Sequence, residues 1–600
     1  MTASLILLGA GPRAVAVLSR LCADAPTVAP DLDIVVHLVD AVEIGAGRTW
    51  NTQQNPFLLC NTYAAETTVF ADESIPTVGP TCGGPSLSEW LDSLASVQPP
   101  VAPEVVARAR SLHPWSYPPR ALQGEYFRWA LDRIVAEAPP HIRCVRHVKQ
   151  AVALSETTNT QQTVTFADGS SLTADLVIAL QGLLTSGHAP ETTAIAQAAS
   201  CHSLTYFAPG MPSEQTWSTI PAGESVLVRG LGANFFDLIG VLYEGRGGRF
   251  ERDSDGLLHY LPSGREPFLI AGSRRGLPYR AKSYYATGLP KPQELRRFSA
   301  QREVDLLREY RGTAALDFTT DVAEDIWADF RDIYDAVARR SGVTEPFDWP
   351  RIVDPAHGRV FETENQWSAF VDEYARVEEH RIHHPESSPD KAIHRAVETT
   401  RRRLSRLVIA RVFDPVSVVR DLKQSFLPQS LVTSSGPPPQ RAEALFALRR
   451  AGFVDIMGPG FQVEVGAQGF VATSAVPGRR AVTTCFVEAR MDLGDLRNTD
   501  DPLIQNLFQT GQARLYRVTD REGRVTNTGT LDVTDDNFFL VDAAGVPHAR
   551  RIVLGSPAGD VQFNAAIGAI PHTGDKMLVG AERVAVQALR TLRQAPSGSL

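Results

Sequence analysis

The first 40 residues alternate apolar runs with a glycine turn and a helical pattern. Residues 5–8, Leu-Ile-Leu-Leu, form a continuous apolar run, which predicts a strand buried on both faces of a parallel sheet. A glycine turn follows, then helical periodicity over 15–21 and a second apolar strand over 34–39. This order predicts a βαβ unit, the building block of an α/β fold.

The pattern continues with loops, strands and a second unit of the same kind. The sequence predicts surface loops over 76–120 and then an amphipathic helix that carries Tyr126, Trp129 and Ile134. One strand is predicted over 144–154, followed by a hairpin that turns at Asp168-Gly169 and a strand over 175–180. A second strand-turn-helix begins at Ser225. Between about 291 and 455 the pattern becomes helical. One helical face there is formed by Val322, Ile326, Phe330, Ile333 and Val337.

The first glycine turn has the residues that a dinucleotide-binding turn requires. Gly9 permits the tight turn, Gly11 leaves room for a pyrophosphate, and Ala14 lets the helix pack closely on the strand. Pro12 suits the first helical turn, whose free N–H groups face the phosphates. Asp40 ends the next strand, where a carboxylate accepts hydrogen bonds from a ribose. Together these features predict a dinucleotide site.

The second glycine turn is a less complete version of the first. Gly230 and Gly232 follow an apolar strand, but Phe235 stands where a small residue usually allows close helix packing. Arg274 and Arg275 lie after this unit and are suited to a ribose 2′-phosphate, although either could be an exposed ion-pair partner. The turn predicts a nicotinamide site, with NADPH favoured and NADH possible.

Five segments carry a resemblance to a known family. They are Gly9-x-Gly11-Pro12-Arg13, Gly45-Ala46-Gly47-Arg48-Thr49-Trp50, Leu58-Leu59-Cys60-Asn61-Thr62, Gly84-Pro85-Ser86-Leu87-x-Glu89-Trp90 and Gly272-Ser273-Arg274-Arg275-Gly276-x-Pro278-Tyr279. The chain resembles the FAD/NAD(P)-binding family that includes FAD-dependent urate hydroxylase and the nitrosuccinate-forming aspartate N-hydroxylase. That family is related to the class B N-hydroxylating flavin monooxygenases.

The resemblance implies FAD in the first site and assigns several contacts to it. Arg48 and Trp50 are expected along the FAD, with Asn61 and Thr62 near the isoalloxazine edge and Asn61 as the catalytic candidate. Ordinary packing or a turn cap is the alternative for Trp50 and Asn61. Arg13 is expected either to balance pyrophosphate charge or to be a solvated helix residue.

The segment Gln181-Gly182 stands where related flavoproteins carry Ala-Thr-Gly and the chain crosses between nucleotide domains. Leu180-Gln181 departs from that pattern, so a cofactor contact by Gln181 is the weaker part of the expectation. Gly182 keeps the backbone freedom that the crossing needs.

These patterns predict an α/β fold with two Rossmann-like dinucleotide-binding domains, for FAD and NAD(P)H, and a large helical insert. The predicted domains are an FAD domain over 1–215 completed by 540–600, an NAD(P)H domain over 216–290 completed by 456–539, and a helical insert over 291–455 that is a candidate substrate cap.

Composition adds expectations about compartment and partners. The net charge of −9 gives no electrostatic reason for a nucleic-acid or anionic-membrane partner. Six cysteines without a close pair favour a reducing, cytoplasmic compartment. His380, His383 and His384 sit in a polar stretch that we interpret as a solvated loop, and we expect no metal. An oligomer is possible.

The function that best fits is an FAD- and NAD(P)H-dependent monooxygenase acting on a small molecule with O₂. The resemblance favours N-hydroxylation of a small amine or amino acid, such as aspartate, through a C4a-peroxyflavin. The alternatives are urate-like ring hydroxylation, a flavin reductase with another acceptor, and a non-enzymatic flavoprotein. Arg280 and Lys282 could anchor a substrate carboxylate, with phosphate binding or surface exposure as alternatives.

Overall fold

The computed structural model describes residues 2–94, 96, 100–157, 161–184, 186–285, 288, 291–491, 494–520, 523–563, 565 and 568–594. The chain divides into two compact units. The first unit comprises Met1–Gly187, Asp492–Val518 and Gly523–Leu600, and the second comprises His188–Met491 and Thr519–Glu522.

The strands, in chain order, are β1 (Thr2–Leu8), β2 (Asp33–Asp40), β3 (Ile142–Val148), β4 (Ala151–Glu156), β5 (Gln162–Phe166), β6 (Ser171–Ala174), β7 (Leu176–Ala179), β8 (Thr205–Phe207), β9 (Ser225–Arg229), β10 (Arg249–Arg252), β11 (Leu258–Leu261), β12 (Phe268–Gly272), β13 (Val454–Ile456), β14 (Gln462–Gly466), β15 (Gly469–Thr473), β16 (Arg480–Thr483), β17 (Cys485–Glu488), β18 (Leu515–Thr519), β19 (Val525–Leu531), β20 (Phe539–Val541) and β21 (Pro547–Val553).

The α-helices are α1 (Pro12–Val28), α2 (Leu87–Ser93), α3 (Pro103–Ala109), α4 (Arg120–Ala136), α5 (Pro190–Cys201), α6 (Ala233–Leu242), α7 (Ala300–Tyr310), α8 (Phe318–Asp321), α9 (Ala323–Ser341), α10 (Trp349–Val353), α11 (Glu364–His383), α12 (Pro389–Ile409), α13 (Pro415–Ser417), α14 (Leu427–Ser434), α15 (Pro439–Arg450), α16 (Pro502–Gln509) and α17 (Lys576–Arg593). Val418–Phe426, between α13 and α14, is wound as a π-helix.

The first unit is built on a six-stranded sheet in the order β20-β21-β7-β1-β2-β3. Its strand pairs are parallel except β20–β21. Leu5, Ile6 and Leu7 of β1 are fully buried, as expected for a central strand covered on both faces. On the helical layer, Arg20 of α1 forms buried ion pairs with Asp24 at 2.7 Å and with Glu582 of α17 at 2.6 Å.

The second unit is built on a five-stranded parallel sheet in the order β13-β12-β9-β17-β8. The helices α7 to α15 belong to this unit. On α9, Ile326 and Phe330 are fully buried and Val337 nearly so, which confirms the predicted apolar face. The α/β fold with two parallel sheets and a helical region is confirmed.

The boundaries of the two units differ from the domain ranges drawn from the sequence. The change of unit falls at Gly187–His188 rather than at 215, because β8 pairs with β17 of the second sheet. Most of the described residues over 494–539 belong to the first unit rather than to the nicotinamide unit.

Three local predictions were wrong. The surface loops predicted over 76–120 contain two helices, α2 and α3, and Trp90 of α2 is fully buried. The single strand predicted over 144–154 is two strands, β3 in the main sheet and β4 in a small antiparallel sheet with β5 and β6. The predicted histidine loop is instead the end of α11, which reaches His383. The His383 side chain lies 2.7 Å from the carboxylate of Glu443, so a helix–helix contact accounts for it.

Within the described residues, no helix combines the length and apolarity needed to cross a lipid bilayer.

Candidate dinucleotide-binding sites

The first glycine turn lies at the point where the strand order of the first sheet reverses. β1 pairs with β2 on one side and with β7 on the other, and open α/β sheets bind ligands at the carboxyl ends of strands flanking such a reversal. Gly9 has φ 87°, and its N–H donates to the Val39 carbonyl at 2.8 Å. The turn therefore runs directly between the ends of these strands.

Gly9 is required by packing as well as by its backbone angle. A Cβ at Gly9 would lie 2.8 Å from the backbone nitrogen of Gln181 and 2.9 Å from its Cα. Gln181 thus contributes its backbone to the floor of the turn. Gly182 is exposed, and a Cβ there would meet nothing within 4 Å.

A second glycine segment covers the turn. A Cβ at Gly11 would lie 3.6 Å from the Cα of Gly47, an ordinary contact, whereas a Cβ at Gly47 would lie 3.1 Å from the Cα of Gly11. Gly47 has φ 66°, and Gly45 donates its N–H to the Ala10 carbonyl at 2.7 Å. The close approach of the two backbones therefore depends on the missing side chain of Gly47. They form a narrow cradle beside the N-terminus of α1, where Ala14 donates its N–H to the Gly11 carbonyl at 2.9 Å.

Asp40 lies beside this cradle at the end of β2. Its Oδ1 accepts the N–H groups of Val42 at 2.9 Å and Glu43 at 3.1 Å. Burial raises the pKa of Asp40. Oδ2 lies 3.8 Å from the position that a Cβ of Gly47 would occupy, so it points toward the cradle.

Arg13, on the first turn of α1, brings a cation to the same place. One NH donates to the Ala565 carbonyl, and the guanidinium packs against Gly555. Burial lowers the pKa of Arg13 to about 10. Among the described residues, no carboxylate lies within 4 Å of this guanidinium. A buried cation beside a helix N-terminus suits a pyrophosphate, so the residues present fit a dinucleotide.

The other predicted FAD contacts lie in the first unit, on the segments 45–50 and 58–62. Trp50 is partly buried, with its ring 5.9 Å from that of Phe127 and nearly perpendicular to it. Asn61 is exposed, and Thr62 is half-buried. Arg48 is half-buried and contributes to the electrostatic field at Asp501. The structure accounts for Trp50 by packing; a FAD contact by Arg48, Trp50, Asn61 or Thr62 stays a prediction.

The second glycine turn also lies at a reversal of strand order, between β9 and β17. Gly230 has φ 116°, and a Cβ there would lie 2.7 Å from the carbonyl oxygen of Ala489. Gly232 begins α6, and a Cβ there would lie 3.5 Å from the ring of Tyr279. Phe235 is fully buried, so the bulky third residue of the motif is accommodated in the core.

The two turns correspond residue by residue. The Gly9 N–H donates to the carbonyl of Val39, which is the residue before Asp40. In the same way, the Gly230 N–H donates at 2.9 Å to the carbonyl of Gly272, which is the residue before Ser273. The place of Asp40 in the first unit is therefore taken in the second by Ser273, with Arg274 next in sequence. Where the first turn has a carboxylate, the second has a short hydroxyl followed by cations.

Arg274 and Arg275 differ in their surroundings. Arg274 is exposed. The guanidinium of Arg275 lies over the Tyr279 ring, 5.3 Å from its centroid, and burial lowers its pKa.

A charged group that the motif did not reveal lies next to this turn. Glu488, at the end of β17, is fully buried and accepts hydrogen bonds from Arg229 at 2.8 Å and from Arg490 at 2.9 Å. Burial alone would raise the pKa of Glu488, but the two guanidinium groups outweigh it and lower the pKa. The sequence offered one signal for Glu488, its place at the end of an apolar run. That signal pointed to the glycine turn only when the structure showed that β17 pairs with β9.

Arg280 needs a correction, because the structure accounts for it without a substrate. Its side chain is 1% exposed, and its guanidinium bonds Glu378 at 2.9 Å and Asp390 at 3.0 Å. A guanidinium enclosed by two carboxylates is not available to a substrate carboxylate. Lys282 is half-buried, and its role as a substrate ligand is untested.

Comparisons with known proteins agree with the two turns. A family model described as FAD-NAD(P)-binding matches residues 6–188. The nitrosuccinate-forming L-aspartate N-monooxygenase of Streptomyces davaonensis is 34% identical, over 97% of this chain and 96% of that protein. Nitrosuccinic acid synthase of Aspergillus oryzae is 33% identical, over 98% and 93% respectively.

Among solved structures, L-lysine 6-monooxygenase from Pseudomonas syringae is similar over 99% of this chain and all of that one, with 11% identity. The TM-score between the two structures is 0.43. The sequence relatives, by contrast, exceed 30% identity over nearly the whole length. They confirm the family resemblance and the enzyme class. The FAD-NAD(P)-binding family model confirms the two cofactors, FAD and NAD(P)H. The protein is a flavin-dependent monooxygenase, and it belongs to the FAD-NAD(P)-binding family of the nitrosuccinate-forming L-aspartate N-monooxygenases.

Proposed function

We propose that this protein N-hydroxylates L-aspartate, or a small amino acid close to it, with FAD, NADPH and O₂. The observation that carries the substrate is the 34% identity over 97% of the chain to an L-aspartate N-monooxygenase. The two glycine turns supply the cofactor sites that such a reaction needs.

In the first site, Gly11 and Gly47 leave room for the pyrophosphate, and Asp40 accepts hydrogen bonds from the adenosine ribose. Arg13 offsets phosphate charge. FAD, when bound there, supplies the oxygen chemistry after it has been reduced by a nicotinamide. Asn61, which is exposed, is our candidate for a side chain beside the reacting ring, with Thr62 next to it.

In the second site, the cations after β12 favour NADPH. Because Ser273 takes the position that corresponds to Asp40 and Arg274 follows it, the ribose would meet a hydroxyl and a guanidinium rather than a carboxylate. Guanidinium groups bind phosphates through charge-assisted hydrogen bonds. We therefore assign the 2′-phosphate to Arg274 and Arg275.

The first oxidation has a defined balance. An amine, O₂, NADPH and one proton yield a hydroxylamine, NADP⁺ and water, so the nitrogen gains one oxygen atom and the second oxygen leaves as water. The amine attacks through its lone pair and must be neutral. A free amino acid is mostly ammonium near pH 7, and burial favours the uncharged form.

The test is to measure hydroxylated product, NADPH oxidation and hydrogen peroxide together across pH, with aspartate and other small amines. We expect aspartate to give product, with the product share rising and the peroxide share falling as pH rises. Product from a urate-like heterocycle alone would replace the proposal with ring hydroxylation. Peroxide without product from every substrate would identify a reductase.

We also propose a reducing, cytoplasmic setting for this reaction. None of the six cysteines forms a disulfide bond, and two of them are exposed.

A further inference from the structure

Four charged side chains form a buried ion cluster inside the second unit: Arg280, Glu378, Asp390 and Lys391. Glu378 lies on α11, and Asp390 and Lys391 lie at the start of α12. The side chains of Arg280, Glu378 and Lys391 are 1%, 1% and 2% exposed. Lys391 Nζ lies 2.6 Å from Glu378 Oε1, and Arg280 bonds both carboxylates.

The cluster is bonded to the backbone of the segment 273–281 as well as to itself. Ala281 N–H donates to Glu378 Oε1 at 3.1 Å, and Lys391 Nζ donates to the Ala281 carbonyl at 2.7 Å. Arg280 donates a further hydrogen bond to the Ile352 carbonyl at 2.8 Å. Charged hydrogen bonds in a buried site are directional, so they fix the course of the chain at 280–281.

The residue just before the cluster touches the second glycine turn. Tyr279 N–H donates to the Leu231 carbonyl at 3.1 Å, and its ring lies against Gly232. The guanidinium of Arg275 lies over the face of the same ring. One short stretch of chain therefore connects the glycine turn, the cation over Tyr279 and the buried ion cluster.

We propose that the buried ion cluster holds the segment 273–281 against the second glycine turn, so that Glu378 and Lys391 are positioning residues for NADPH binding. They act through Ala281 and Arg280 on Tyr279 and Arg275. The inference rests on the proposed nicotinamide site and adds to it the residues that set its geometry.

The main variant is the pair Glu378→Met with Lys391→Met. Changing both together leaves no single uncompensated charge at their two positions, and methionine has similar length. It removes both hydrogen bonds to Ala281 while Arg280 keeps Asp390. The matched control is Glu303→Met with Arg406→Met, an ion pair between α7 and α12 in the same helical region.

The measurements are FAD content, thermal stability, the Kd of NADP⁺ by titration, and the rate of flavin reduction at saturating NADPH. We expect the main pair to raise the Kd about tenfold, a size typical of coupling between contacting residues, and to change FAD content little. The saturated reduction rate should change by less than about twofold. The Glu378→Gln with Lys391→Gln pair keeps an acceptor and a donor at the same places and should recover much of the affinity. The control pair should keep the wild-type Kd whatever it does to stability.

An unchanged Kd in a folded main pair would overturn the inference, since a cluster that only stabilises the fold would lower the thermal stability alone. If the main pair does not fold, Lys391→Met alone decides in the same way, because it removes the hydrogen bond to the Ala281 carbonyl while Arg280 keeps Glu378 and Asp390. A wild-type protein that binds no NADP⁺ would overturn the nicotinamide assignment and this inference with it. Wild-type binding that no variant weakens would overturn the inference and leave the proposed function standing.

Discussion

The two glycine turns share a backbone path but differ in what surrounds it. In the first unit, the second glycine faces the backbone of Gly47, the third position is Ala14 and the neighbouring strand ends in a carboxylate. In the second unit, the corresponding glycine faces the Tyr279 ring, the third position is the buried Phe235 and the neighbouring strand is followed by Ser273 and cations. The turn itself is thus set by backbone geometry, while the identity of the nucleotide is set by the side chains that arrive from the next strand.

The largest expected effect concerns the first glycine of each turn. Gly9→Ala and Gly230→Ala should each prevent stable folding of their own unit. The added Cβ would lie within 2.8 Å of backbone in both cases, and both residues have positive φ, which costs alanine about 1–2 kcal/mol by itself. Thermal unfolding followed by flavin fluorescence and by circular dichroism measures this. Gly83→Ala, where the nearest atom is 3.6 Å away, is the control.

The second glycines should separate the two cofactors. Gly11→Ala and Gly232→Ala place a Cβ at ordinary contact distance, 3.6 and 3.5 Å, so both proteins should fold. Gly11→Ala should lose most of its FAD, because the methyl group occupies pyrophosphate space. Gly232→Ala should keep FAD and bind NADPH at least about tenfold more weakly, or ~1.4 kcal/mol. Flavin content and NADP⁺ titration measure these losses; the same cofactor lost in both variants would contradict the assignment.

Replacing the cations of the second turn should change nucleotide preference by a smaller amount. Arg274→Gln with Arg275→Gln should raise the KM for NADPH several-fold to about tenfold more than the KM for NADH. The expected effect is that of about one charge-assisted contact of ~1.5 kcal/mol, because Arg274 is exposed to solvent. Steady-state oxidation of the two nucleotides measures the difference. An equal change in both would assign the two residues another role.

The smallest expected effect is a pH dependence of FAD binding, which arises from Asp40 beside the first turn and has no counterpart at the second. Because burial raises the pKa of Asp40, this carboxylate becomes protonated at a higher pH than an exposed aspartate as the solution is acidified. It then accepts ribose hydrogen bonds less well. FAD retention should therefore fall as the pH is lowered through the raised pKa of Asp40 and stay constant at higher pH. Asp40→Asn should bind FAD more weakly and lack this step. Flavin release measured by fluorescence from pH 7 downward is the readout.

Local signals predicted the parts of the sites that depend on nearby residues. Gly9, Gly11 and Asp40 were predictable because strand, turn and helix patterns place them within one βαβ unit. The same holds for the hairpin at Asp168-Gly169, confirmed by the antiparallel pairing of β5 with β6. Each of these features is decided by contacts a few residues apart.

The parts that failed depend on partners distant in sequence. Arg280 lies 98 and 110 residues before the carboxylates that enclose it, so nothing in its own segment showed that it would be buried. The role of Tyr279 against Gly232 is likewise a tertiary contact. The assignment of β8 to the second unit also depends on a distant partner, because Thr205 of β8 pairs with Cys485 of β17.

The order in which the first unit is assembled has a consequence for synthesis of the chain. Its strands β1, β2, β3 and β7 are all translated before residue 180. Their later partners are β21, which pairs with β7, and α17, whose Glu582 pairs with Arg20. Until these are translated, the buried guanidinium of Arg20 lacks one of its two carboxylates, and one edge of the sheet is open. Nearly all of the second unit has been translated by residue 491, so it can fold before β21 and α17 are available to the first unit. A nascent chain should therefore acquire its flavin only after α17 has been translated.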